Sequence, residues 1–196
     1  MHPGIPNSSR LPPDLKAVLN DLEKSDLEAC RIANALSDVQ FNWRPSERAW
    51  SIAQCLDHLG RANTIYAAAL QEAVRKARFA PLRRNGPIRP DWFSRLFIWS
   101  LEPPPRIRMR APKKIVPGAS HKGEDVLQMF LRSQEDVRSV LQESADLDLN
   151  CVRFRNPFVG FLRFTVGAGL LIVAAHDRRH LWQAEQVRRA AGFPPG

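Results

Sequence analysis

Four stretches of this chain place apolar residues at three- and four-residue intervals, the pattern of helices that bury one face. The first opens at Pro12-Pro13-Asp14. It carries Leu15, Val18, Leu19, Leu22, Ala29, Ile32, Ala33 and Leu36, and predicts a helix to about Ser37. The second has a readable start, because Ser51 followed three residues later by Gln54 forms a capping box, with apolar Trp50 just before it. Ile52, Cys55, Leu56, Leu59, Ala62, Ile65, Tyr66, Ala69 and Leu70 continue its stripe. A third helix follows Gly123, with Val126, Leu127, Phe130, Leu131, Val137, Val140 and Leu141 inward. After a loop around Asn150 to Pro157, a fourth runs from about Thr165 to Ala191. Residues Asp38 to Ser46 read as a short connection with a proline stop, which sets the first two helices antiparallel. The pattern predicts an all-α protein with four long helices, and the length suits a single domain over residues 1–196.

Residues 75–122 break the pattern. Between Arg75 and Lys114 stand twelve Lys or Arg against two acids, Asp91 and Glu102, so this stretch carries +10 and the rest of the chain is near −1. Pro81, Pro87, Pro90, Pro103, Pro104, Pro105 and Pro112 forbid one long helix here. The stretch is a long Pro/Arg-rich link between the second and third bundle helices. Within it, Asp91 to Ser100 reads as a short amphipathic helix with an aromatic face, in its plainest role a packing segment over the bundle. The charge also suits phosphates, with aromatics stacking on bases, or an anionic membrane surface, or the mouth of a site for an anionic substrate. No compact nucleic-acid motif accompanies it, so the expected binding is weak, salt-sensitive and without sequence preference, and removed by charge reversal at Arg106, Arg108 and Arg110.

The longest apolar run, Val166 to Ala175, is about half of the roughly 20 residues that span a bilayer, so no transmembrane segment is expected. There is no charged segment leading into an apolar run at the N-terminus, and the three cysteines, Cys30, Cys55 and Cys151, are widely spaced and odd in number. A cytoplasmic protein with reduced thiols is the expectation.

The chemistry concentrates in the fourth helix. His176 and His180 stand four residues apart, on one face and close enough to reach one ion. A third ligand has to come from elsewhere, and His58 is the other histidine inside an amphipathic helix; His2 and His121 lie in loop-like sequence. Cys55, three residues from His58, is a second candidate, set against the usual role of free cysteine as a small buried hydrophobe. Gln54, one turn before His58, and Gln183, one turn beyond His180, are candidates to support the imidazoles from behind. A zincin arrangement would need a glutamate after the first histidine. Asp177 stands there instead, with no third ligand downstream. Three neutral histidines suit zinc, nickel or iron with an open position for water or a thiolate. Hydrolysis and thiol transfer are then both available.

Three blocks carry a resemblance: Asn42-Trp43-Arg44-Pro45, Trp50 to Leu59, and His176-Asp177-Arg178-Arg179-His180-Leu181-Trp182-Gln183. Together they resemble the DinB/YfiT-like superfamily. The resemblance implies an up-down-down-up four-helix bundle with a divalent metal on His58, His176 and His180. It also implies relatives that act as thiol-dependent transferases or isomerases with low-molecular-weight thiols, and that are often dimers. The length and charge of the link depart from it, and no matching motif marks a thiol-binding or a catalytic residue.

Two functions follow as expectations. One is a metal-dependent thiol transferase or hydrolase acting on a small-molecule substrate. The other is a non-catalytic bundle that binds nucleic acid or another anion through the link. Leu170, Leu171, Ile172 and Val173 point around more than half of their helix, which requires a further cover. A homodimer is the expected one, with the link's Trp92, Phe93, Phe97 and Trp99 as the internal rival.

Overall fold

A computed structural model of the chain describes residues 11–106, 111–118 and 122–195; His2, His121, Arg108 and Arg110 lie outside them. The described residues are mostly helical: α1 (Pro13–Ala33), α2 (Asp38–Asn42), α3 (Ile52–Ala77), α4 (Trp92–Leu101), α5 (Gly123–Glu143) and α6 (Val166–Arg188). A short hairpin, β1 (Arg153–Arg155) paired antiparallel with β2 (Arg163–Thr165), joins α5 to α6. No helix among the described residues is long and apolar enough to cross a membrane.

The bundle is made by α1, α3, α5 and α6. α3 and α5 run in the same sense: Gly60 lies against Met129 and Phe130 near their starts, and Gln71 bonds Glu143 near their ends. α1 and α6 also share a direction, Asp21 meeting Arg178 and Arg31 meeting Glu185. α6 runs against α3, with His58 facing His176 and Leu70 facing Gly169. Gly169 permits that approach. A Cβ there would stand 2.7 Å from a Leu70 methyl and 2.8 Å from the Phe154 ring.

The Ser51/Gln54 capping box is present, with Thr165 capping α6 and Asp91 capping α4. Three boundaries differ from the sequence reading. α1 ends at Ala33, not near Ser37, because Ala35 takes a left-handed φ of 59°. Ser37 and Gln40 then form a second capping box that starts α2 inside the expected connection. The loop expected around Asn150 to Pro157 contains β1, whose Arg-Phe-Arg alternation is too short to read as a strand without its partner.

The link is packed onto the bundle. Its α4 lies on α6 and the hairpin, with Phe97 and Phe93 at 5.2 and 5.9 Å, centroid to centroid, from the Phe164 ring. Leu101 and Ile115 are buried, and Ile88 meets α6 at Gly167. Leu170, Ile172 and Val173 are therefore covered from within the chain, and Leu171 is half-buried. Much of the link's early charge is spent locally: Arg75 pairs with Glu72, Arg78 and Arg83 with Asp146, and Arg84 with Asp14.

Candidate metal centre

Helical periodicity puts His58 on the core face of the second turn of α3, and His176 and His180 one turn apart on α6. Because the two helices run in opposite senses, the three rings meet. Ring centroids are 5.0 Å apart for His58 and His176, 4.4 Å for His58 and His180, and 4.6 Å for His176 and His180. One nitrogen of each ring lies within 4.8 Å of the other two. His58 and His180 are buried and His176 nearly so.

The hydrogen bonds decide which nitrogens face inward. His58 Nδ1 donates to the Ile115 carbonyl at 2.7 Å, which leaves its Nε2 a bare lone pair, 3.2 Å from His176 Nε2. His180 Nδ1 lies 3.1 Å from Gln183 Oε1 and donates to it, turning its own Nε2 lone pair the other way. Two nitrogens bound to one tetrahedral ion at about 2.0–2.1 Å stand about 3.3 Å apart, so the separation of His58 and His176 fits one shared ion. Burial holds all three imidazoles below their ordinary pKa, and for His180 and His176 the neighbouring ring adds to it. They are thus neutral at pH 7, the protonation state a metal ligand needs.

Gln54, expected to support an imidazole directly, bonds Ser51 and Gly118 instead. Its Oε1 accepts from Ser51 N and its Nε2 donates to the Gly118 carbonyl. Asp57 accepts from Gly118 N at 3.0 Å. Together with the His58 to Ile115 bond, three residues of one α3 turn and a half grip residues 115–118 at the far end of the link. Cys55 sits in the apolar core, its thiol pushed up by burial, and is not part of the histidine group. Asp177 is buried and accepts from Asn63 at 2.9 Å, on α3. Burial pushes its carboxyl up to about 7.

Several neighbours of the site were not legible in the sequence. Trp50, read only as the apolar residue before a cap, packs over two of the rings, at 4.8 Å from His58 and stacked at 5.5 Å on His180. Ile115, between Pro112 and Pro117, had no periodicity to announce its role. Arg179, buried and bonded to the Ser100 carbonyl, brings a positive charge beside His176 and His180. Arg178 next to it forks onto Glu102, so the two arginines hold the end of α4 at the rim.

The fold and site define a helical bundle with a buried set of three imidazole donors shared between two antiparallel helices. The chain belongs to the DinB superfamily, which residues 15–184 match. No curated protein and no solved structure matches.

Proposed function

We propose that this protein is a metal-dependent enzyme in which His58, His176 and His180 hold a divalent ion, zinc, nickel or iron, next to a small-molecule substrate. The observation that carries this reading is the orientation of the rings: two Nδ1 atoms are spent on Ile115 and Gln183, so that Nε2 lone pairs converge. Such an ion would supply Lewis acidity, lowering the pKa of a water or thiol bound at its open position. Thiol-dependent transfer, using a low-molecular-weight thiol, and hydrolysis are the two reactions consistent with that chemistry. Trp50 shields the donors from bulk water, and the charge of Arg179 favours an anionic group beside them. The up-down-down-up helix order belongs to the same reading and is supported by the shared direction of α3 with α5 and of α1 with α6.

The test is elemental analysis of protein purified without chelators, followed by a screen against electrophiles with and without candidate thiols. Stoichiometric metal and metal-dependent turnover support the proposal. Absence of metal, or full affinity in His58→Ala, overturns it. The rival reading, nucleic-acid binding through the link, is weakened by the pairing of Arg75, Arg78, Arg83 and Arg84 with acids of this same chain. A homodimer remains part of the proposal through the family, and light scattering over a dilution series decides it.

A further inference from the structure

Helix α4 has one face too many. Phe97, Ile98 and Leu101 turn toward the body of the protein. Trp92, Leu96 and Trp99, at i, i+4 and i+7, form an opposite stripe that is 75, 52 and 49 % exposed. Packing of the fold does not account for these three large side chains. The hairpin next to α4 repeats the arrangement. Phe154 and Phe164 face inward, Arg153, Arg155 and Arg163 face outward, and Phe161 at the tip is 85 % exposed. The two elements are continuous: Phe93 of α4 stacks on Phe164 of β2, and the Asp91 cap of α4 feels the charges of both Arg153 and Arg95.

The charge of this surface is available, in contrast to the early part of the link. Arg95 donates to the Pro90 carbonyl, and Arg106 lies 4.7 Å over the Trp99 ring and against the Trp99 carbonyl; with Arg153, Arg155 and Arg163 they make five arginines, and the Asp91 carboxylate near Arg95 and Arg153 offsets only part of that charge. We propose that α4 and the β1–β2 hairpin form a docking face for an anionic membrane surface, with Trp92, Leu96, Trp99 and Phe161 entering the headgroup boundary and the arginines meeting lipid phosphates. An amphipathic surface of this kind binds by adding shallow apolar burial to attraction for anionic lipid. Indole rings suit that boundary, having an apolar body and one polar N–H. Single-stranded nucleic acid fits less well. Leu96 lies midway along the stripe and offers no aromatic face on which a base could stack.

The experiment is sedimentation of the full-length protein with vesicles of phosphatidylcholine alone and of phosphatidylcholine mixed with phosphatidylglycerol. Partition is expected to rise about tenfold or more on the anionic vesicles and to fall with salt. The Trp92→Ser/Trp99→Ser variant should lose about tenfold in partition while keeping the helical circular dichroism and metal content of the wild type. Arg153→Glu/Arg163→Glu should do the same from the side of the charge. Equal partition on neutral vesicles, no partition at all, or unchanged binding in both variants would overturn the proposal. So would tighter binding of a single-stranded oligonucleotide than of anionic vesicles, or a dimer broken by the tryptophan variant in a protein that ignores vesicles.

Discussion

Two polar groups are buried side by side between α3 and α6, and they respond to burial in different ways. In the histidine group, removal from water favours neutral imidazole, and neutral imidazole is a ligand. The outward nitrogens of His58 and His180 are satisfied by Ile115 and Gln183, and one nitrogen of each of the three rings lies within 4.8 Å of the other two. In the Asp177 group, burial likewise favours the neutral form, but a carboxylic acid then needs acceptors of its own. Asn63 satisfies one oxygen. Asp177 Oδ2, both polar atoms of the Gln134 amide and Asp26 Oδ1 make no well-formed hydrogen bond, although the Gln134 side chain lies close enough to both carboxyls to favour their charged forms. Burial alone therefore does not make a site. Convergence of lone pairs toward one point does, and it separates a candidate metal seat from a buried polar cluster.

The largest expected effect removes a donor. Alanine at His58, His176 or His180 should cost more than 100-fold in metal affinity, beyond the roughly 10–100-fold associated with losing an outer partner of a ligand. Titration calorimetry against zinc and nickel reads it, and one histidine that can be lost without consequence would break the contrast between the two groups. Gln183→Leu, which removes the acceptor of His180 Nδ1, should fall in the 10–100-fold range, while Asn63→Leu should leave metal affinity unchanged.

The two groups should also titrate in opposite senses. The Asp177 pKa, about 7 in the folded protein, lies above its ordinary 3.8, so the stability it contributes is full at low pH and lost as pH rises toward 7. The shift corresponds to a few kcal/mol at most, about 1.4 for each pKa unit. For the metal-free histidines the folded pKa lies below 6.5, so their contribution is full above pH 6.5 and lost as pH falls through the folded value. The difference in melting temperature between Asp177→Asn and wild type should thus move in favour of the variant from pH 5 to pH 8. A flat difference would place an ionised, stabilised carboxylate at Asp177.

Smaller again is the effect of loosening the link. Gln54→Leu removes both the N3 half of the capping box and the bond to Gly118, and should cost about 1 kcal/mol in stability. It should also weaken metal binding by about tenfold, because the Ile115 carbonyl that orients His58 rides on the same segment. Loss of stability with affinity intact would assign Gln54 to the cap alone.

Much of the bundle was legible because its signals are local. The Ser51/Gln54 box, the stripe from Ile52 to Leu70 and the four-residue spacing of His176 and His180 can each be read within a single helix. The hairpin and α2 were missed for the same reason in reverse. Three-residue strands have meaning only once Phe154 is paired with Phe164, and α2 depends on the chain reversing at Ala35.

The sequence by itself determined the helices, the faces they bury and which three histidines lie on those faces, since periodicity and capping are properties of neighbouring residues. Only the tertiary structure decided that the end of the Pro/Arg-rich link, residues 115–118, which has no periodicity of its own, closes over the site. Ile115 reaches His58, 57 positions away, through a contact set by the packing of the link on α3. The orientation of an imidazole depends on the atom placed behind it, and that atom came from a part of the chain whose sequence carries no mark of the role.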